Sequence, residues 1–236
     1  GHRRLQESIQ AAVIGREEVV EWSFHGFLRA PFGNGAADCL PPTIREQALM
    51  GVSMQTILGA NGVIAQELSK HLPAYSDRIR QVSRHPKKIN PSDELFEADL
   101  LDAEQTSKAV QGSDIVYLVA GLKYEIKVWK EQWPKLMRNV IDACKKHNAK
   151  LVFFDNVYAY GWVKGTMTEE TPFNPTSKKG EVRAQIATML LDEIKAGNLS
   201  GMIIRAADFY GPGAQLSLEH STVTSRLKKG NGAQWI

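Results

Sequence analysis

The sequence predicts an α/β domain over residues 54–236, built as a doubly wound parallel sheet with helices on both faces. Three observations carry this. From Met54 onward, short apolar runs alternate with longer amphipathic ones almost to the end of the chain. The first of those runs leads directly into a glycine-containing turn and then a helix. With 236 residues, 43% of them hydrophobic, the chain can also bury a sizeable single core.

The elements follow in order. QTIL (55–58) is short, apolar and closed by Gly59, as a buried strand would be, and Val63 to about Leu72 has helical spacing. IRQVS (79–83) and LFEA (95–98) read as the next strands, followed by a helix near Ala103 to Val110. IVYLVA (115–120) is a strand, Met137 to His147 a helix, and LVFF (151–154) a strand. Glu181 to Ala196 is a helix, GMIIRA (201–206) a strand, and a last helix runs through Arg226. Strand and helix alternating at these lengths imply right-handed crossovers between parallel strands, and ligands of such sheets sit at the strands' carboxyl ends.

Residues 1–53 read differently. Leu5, Ile9, Val13 and Val20 have some helical spacing, but Gly15 interrupts it, and 30–43 is rich in Pro, Gly and Ala. Gly1-His2 looks like the remnant of a cleaved tag and Met54 like a natural start, so 1–53 is expected to be an N-terminal extension, non-native or disordered, outside the folded domain.

Composition excludes several classes of function. The 29 basic and 26 acidic residues are interspersed and sum to +3, whereas a nucleic-acid binder concentrates its charge in a basic stripe. Cys39 and Cys144 are too few for a disulfide framework and lack the spacing of a metal site, which fits a reducing cytoplasm. No stretch approaches the roughly 18 apolar residues of a membrane span, and GHRRLQESIQ lacks the apolar core of a signal peptide. The expected protein is cytoplasmic, with no metal, no nucleic acid and no membrane.

The turn after the first strand, Gly59-Ala60-Asn61-Gly62-Val63-Ile64-Ala65, has the pattern G-x-x-G-x-x-A. Each small residue serves a physical purpose. Glycines permit a tight turn and close approach of backbone to a pyrophosphate, and Ala65 lets helix and strand pack closely. The helix start at Gly62, Val63 and Ile64 offers unpaired N–H donors to an anion. A plain strand-to-helix turn would also need glycine; the flanking strand and helix favour the dinucleotide reading.

Nucleotide preference is read at the end of the second strand. An NAD site usually places a carboxylate there, about 20 residues beyond the turn, to bind the ribose 2′-hydroxyl. Here that place holds Ser83-Arg84-His85, so Arg84, helped by Ser83 and by Lys87 or Lys88, is expected to pair with a 2′-phosphate, favouring NADP(H) over NAD(H). The other fate open to Arg84 is a solvated loop side chain. Asp99-Leu100 follows the third strand, where a carboxylate can accept a hydrogen bond from the adenine amino group; Asp99 and Asp102 are also helix-cap candidates, and capping suits Asp102 better. Val119-Ala120-Gly121 offers small residues where backbone must pass close to a ribose or nicotinamide.

In order along the chain, Gly59-x-x-Gly62-x-x-Ala65, Asp99-Leu100, DNVYAYG (155–161) and RAADFYGPG (205–213) resemble the extended or atypical short-chain dehydrogenase/reductase superfamily, in particular its NAD-dependent epimerase/dehydratase group. The resemblance covers the chain after Met54 and implies a Rossmann fold, a bound nicotinamide dinucleotide, a small-molecule substrate with a carbonyl or nucleotide-sugar character, and a homodimer formed through the helices after strands four and five. It also implies a smaller C-terminal substrate lobe, which a chain ending at Ile236 largely lacks.

The departures bear on chemistry. The family carries Ser or Thr at the end of strand five and Tyr-x-x-x-Lys on the next helix, where lysine lowers the tyrosine pKa for proton exchange during hydride transfer. Alignment puts Asn156 at the Ser/Thr place, Lys179 at the tyrosine place and Arg183 at the lysine place. Two readings of Lys179 and Arg183 are open: a cationic pair that binds an anionic substrate or polarises a carbonyl, or a solvated helix face. Tyr158 is the replacement acid expected from the strand-five loop, with Tyr160 more suited to packing. Asn139 falls where the family has an asparagine that supports the site through backbone, and Tyr124, Trp129 and Trp133 are assigned no role. The expected protein is an oxidoreductase or epimerase/dehydratase; the competing reading is a non-catalytic NADP(H)-binding redox sensor or regulator that lost the tyrosine.

Overall fold

The computed structural model describes residues 53–207, 214, 217 and 220–234, together with the backbone of 12–14. Most of the N-terminal extension, and residues 208–213 of the RAADFYGPG segment, lie outside the described residues.

Seven strands form one sheet: β1 (Ala12–Ile14), β2 (Met54–Leu58), β3 (Arg78–Ser83), β4 (Glu94–Glu97), β5 (Ile115–Leu118), β6 (Lys150–Asn156) and β7 (Gly201–Ala206). Their order is β1-β7-β6-β5-β2-β3-β4. Strands β2 to β7 are all parallel, and β1 pairs antiparallel with the outer edge of β7. The chain leaves β2 toward β3 and β4, then returns to the other side of β2 with β5, so the order reverses between β2 and β5. Such a reversal opens a crevice at the carboxyl ends of the two strands.

The helices are α1 (Val63–His71), α2 (Ala103–Val110), α3 (Ile126–His147), α4 (Lys178–Lys195) and the short α5 (Ser225–Lys228), which contains Arg226. Because successive strand residues point to opposite faces, the sheet has two cores. Leu58, Leu118, Leu151, Phe153 and Ile203 pack with α2, α3 and α4, while Ile57, Tyr117, Val152 and Ile204 lie in the cluster with Ala65 and Leu68 of α1. No described helix is long and apolar enough to cross a membrane.

The largest difference from the sequence expectation is α3. It begins at Ile126 rather than at Met137 and runs through Pro134. A proline inside a helix costs about 3 kcal/mol. Against that, Trp129, Trp133, Leu136, Met137, Val140, Ile141 and Cys144 recur at helical spacing and are all buried. Each large side chain so buried contributes roughly 1.5–3 kcal/mol, so the apolar stripe outweighs the proline. Helix α4 also starts early, at Lys178, because the Ser177 hydroxyl accepts the Gly180 N–H at 3.0 Å and caps it. Strand β5 stops at Leu118, two residues short of the expected end, and leaves Val119-Ala120 to turn beside β2.

Candidate dinucleotide and catalytic site

The crevice is assembled by the turn after β2 and the chain leaving β5. Gly59 adopts φ +104, and a methyl group there would lie 2.4 Å from the Ala120 Cα. Glycine at 59 is therefore what lets the two strand ends meet at the sheet's switch point. The Gly59 and Ala60 N–H groups both donate to the Val82 carbonyl at 2.9 Å, tying the turn to β3. Helix α1 starts at Val63, with Gly62 in the cap position and no side-chain cap. Its first N–H groups, around Val63 and Ile64, thus remain a donor cluster aimed out of the turn. Among the described residues, Gly121 has nothing near the position of a side chain, so there is open space beside the end of β5. Small residues, an uncapped helix start and room beside β5 together fit a dinucleotide.

Asn61, also at positive φ (76°), connects the turn to the segment after β3. Its Nδ2 donates to the His85 carbonyl at 2.7 Å and to the Ser83 hydroxyl at 3.3 Å, and its Oδ1 accepts the Lys87 N–H at 3.1 Å. Arg84, His85 and Lys87 are exposed along that segment, and Lys88 donates to the Pro91 carbonyl at 2.9 Å. Asp99 is half-buried at the next strand end, where its Oδ1 accepts the Leu101 N–H at 3.0 Å. Asp102 takes the cap of α2 by accepting the Gln105 N–H at 2.9 Å; that bond lowers its carboxyl pKa. Asn139 donates to the Leu100 carbonyl at 2.9 Å and so holds this strand end from α3.

Past β6 the sequence-predicted catalytic residues separate into an open group and a buried one. In the open group, Tyr158 is 37% exposed, and its N–H donates to Asn156 Oδ1 at 3.0 Å. Tyr124, on the loop before α3, places its hydroxyl 3.4 Å from that of Tyr158. The Lys179 ammonium sits 3.0 Å from the centre of the Tyr124 ring and donates to the Tyr124 carbonyl at 3.2 Å. Gly180 sets this spacing: a methyl group on it would lie 2.5 Å from the Tyr158 carbonyl oxygen.

Arg183 belongs to the buried group and is neither solvated nor open to a substrate. It is 4% exposed, donates through Nε to Asp155 Oδ1 at 2.6 Å and stacks over Trp133 at 4.5 Å. Arg205, 3% exposed, reaches the other oxygen of Asp155 at 3.3 Å and donates to the Tyr160 hydroxyl at 2.8 Å. One carboxylate thus faces two guanidiniums, and Arg205 Nη2 and the indole N–H groups of Trp129 and Trp133 are buried with no hydrogen-bond partner among the described residues. Tyr160 is a packing residue whose hydroxyl pKa is raised chiefly by burial. Among the described residues, no group of three or more His, Cys, Asp or Glu is placed to hold a metal.

A model of the NAD dependent epimerase/dehydratase family matches residues 56–231. The chain belongs to this family. A 3beta-hydroxysteroid-dehydrogenase/decarboxylase isoform of Arabidopsis thaliana is 27% identical, over 58% of this chain and 26% of its own. Among solved structures, a dTDP-glucose 4,6-dehydratase from Streptomyces venezuelae with NAD bound superposes with a TM-score of 0.66 at 17% identity, covering 75% of this chain and 62% of that one. A UDP-glucuronic acid 4-epimerase from Bacillus cereus in complex with NAD gives 0.64 at 19% identity, covering 75% and 63%. The chain thus spans about a quarter of the plant protein and less than two thirds of these two structural neighbours. The structural likeness establishes the Rossmann-like fold.

Within the family frame, Asp155, Arg205 and Tyr124 are what sequence reading missed. Arg205 did leave a signal, as a charge inside the apolar run 201–206, whereas Asp155 follows the run 151–154 and becomes its register partner only in the folded sheet. Tyr124 left none, because its place beside Lys179 depends on where α3 begins.

Proposed function

We propose that this chain is the nucleotide-binding part of an NADP(H)-dependent oxidoreductase or epimerase/dehydratase that acts on a carbonyl compound or nucleotide sugar by hydride transfer. The observation that carries the reading is the Asn61-braced pairing of an uncapped helix start with the exposed Arg84 segment. Gly59, Gly62, Val63 and Ile64 would take the pyrophosphate, Ser83 and Arg84 the 2′-phosphate, Asp99 and Leu100 the adenine edge, and Val119 to Gly121 the nicotinamide side.

When bound, the nicotinamide supplies or accepts hydride. The chain's part is to move the matching proton and orient the substrate. Tyr158 would hold its phenolic proton at the substrate's carbonyl oxygen, give it up as that oxygen gains negative charge and take it back in the reverse direction. Tyr124, whose hydroxyl donates to that of Tyr158, would return a proton to the Tyr158 phenolate and recover its own from solvent, and Lys179 places positive charge beside the pair. Asn156 uses its Oδ1 on the Tyr158 N–H and keeps its amide NH2 as a donor to the substrate oxygen. Arg183 acts through Asp155, as a positioning residue behind β6. A cytoplasmic location is part of this proposal, supported by the low cysteine count, which suits a reducing compartment. Two copies joining through α3 and α4 would bring charged side chains such as Arg138, Lys145 and Glu193 near the contact.

The second reading, an NADP(H)-binding regulator without catalysis, is favoured by one observation: Arg183, at the family's lysine place, is locked to Asp155. Such a regulator would not sense redox state through Cys144, whose thiol burial pushes up to about 12.

Titration with NADPH and NADH, followed by nicotinamide fluorescence, tests the cofactor reading. NADPH binds more tightly, and Arg84→Ala weakens it roughly tenfold, as loss of a charge-assisted contact should, with little change for NADH. Failure of a folded sample to bind either nucleotide overturns it. Turnover of a carbonyl panel that Tyr158→Phe abolishes separates enzyme from regulator.

A further inference from the structure

We infer that Asn61 is the specificity-positioning residue of this site: it builds the 2′-phosphate segment onto the phosphate turn and so sets the preference for NADPH over NADH. The inference rests on the dinucleotide reading above and assigns a role that the turn pattern alone does not require. At φ 76° the backbone suits glycine, asparagine and aspartate. Glycine would close the turn as well. What asparagine adds is an amide whose two ends both engage one distant segment.

The donor end reaches the His85 carbonyl at 2.7 Å and the Ser83 hydroxyl at 3.3 Å; the acceptor end takes the Lys87 N–H at 3.1 Å. The residue is itself held, because its carbonyl accepts Gln66 Nε2 of α1 at 2.9 Å. The segment has little else to fix it. The Ser83 hydroxyl accepts the His85 N–H at 3.3 Å, and Asp93 gathers the N–H groups of Ile89 and Asn90 at 3.0 and 2.9 Å, just beyond. Among the described residues, the hydrogen bonds that tie 84–88 to a separate element come from Asn61.

This geometry makes one amide the ruler between two anion sites. The turn would hold the pyrophosphate, and Arg84 and Lys87, exposed on the braced segment, would hold the ribose 2′-phosphate. A guanidinium on a braced backbone loses less freedom on binding than one on a loose loop, so the brace adds affinity for the phosphate it faces. Loss of the brace should therefore weaken only the nucleotide that carries a 2′-phosphate.

The test is nicotinamide fluorescence titration of the full chain and of Asn61→Gly, Asn61→Asp and Arg84→Ala with NADPH and NADH, with a thermal melt of each. Asn61→Gly keeps the backbone conformation and removes the amide; the NADPH dissociation constant rises about tenfold, the effect of losing two or three hydrogen bonds, while that for NADH changes less than about twofold. Asn61→Asp keeps an acceptor for Lys87, loses both donors and adds a negative charge beside the phosphate, so NADPH weakens further. A merely structural role would lower the melting temperature and both affinities without moving their ratio, and that result overturns the inference. If wild type prefers NADPH and Arg84→Ala removes the preference but Asn61→Gly leaves it intact, the Asn61 role alone falls. If wild type binds neither nucleotide, or prefers NADH, the cofactor reading fails and takes this inference with it.

Discussion

Replacing Asp155 with asparagine should be among the most damaging conservative changes available to this fold. Asp155 is 2% exposed and is the carboxylate shared by Arg183 and Arg205, themselves 4% and 3% exposed. Neutralising it leaves two buried guanidiniums without their shared counter-charge, and removing one partner from a buried pair costs about 3–5 kcal/mol. Asparagine keeps an oxygen that can still accept the Asn156 N–H, now at 2.7 Å, so the lower end of that range, about 3 kcal/mol, applies. For a domain of this size each kcal/mol lowers Tm by roughly 2–4 °C, giving a fall of about 6–12 °C. Urea denaturation followed by circular dichroism reads the free energy, and a cycle with Arg183→Met reads the coupling. The double variant should be less destabilised than the sum of the singles, because removing Arg183 also removes one of the stranded charges. A loss below about 1 kcal/mol for Asp155→Asn, or strict additivity, would show that the cluster is not held by this carboxylate.

Gly59→Ala should abolish dinucleotide binding and destabilise the chain, since its methyl group would press into Ala120 at a φ of +104°; a variant that binds NADPH normally refutes the turn geometry. Glu193 accepts hydrogen bonds from Lys145, Asn198 and Arg138, which hold its carboxyl down at about 2, from an ordinary value of 4.5. A carboxyl depressed in the folded state contributes stability above its unfolded pKa, so this contribution is complete above about pH 4.5 and is lost as pH falls toward 2. Carboxyl titration by NMR checks it, with an ordinary value counting against the network, and Glu193→Gln should flatten part of the acid-denaturation curve.

Much of this was legible because it is local. The turn at 59–65 announces itself through residues that must be small, and the strands through apolar runs bounded by turn residues. The cap at Asp102 follows from its place just before an amphipathic stretch. What could not be read was long-range. The start of α3 depends on whether Trp129 and Trp133 find a core, and only the packed sheet decides that. Arg183 looked like half of an exposed cationic pair because its spacing from Lys179 is helical, while its fate was set by Asp155, 28 residues earlier in the chain. Tyr124 reaches Lys179 across 55 positions.

Gly180 has a consequence for how this chain can vary. A glycine in a helix ordinarily lowers helix stability by up to about 1 kcal/mol relative to alanine, so at most helical positions a change to alanine is tolerated or welcome. Here the vacant side-chain position is filled by the Tyr158 carbonyl, with Pro175 3.0 Å away on the other side. The outward residues of α4 are free to drift, but this position has one admissible occupant, and any other would push the start of α4 away from the Tyr158 backbone. In a library of random substitutions across α4, Gly180 should therefore tolerate fewer replacements than the exposed residues around it, even though it presents no functional group of its own.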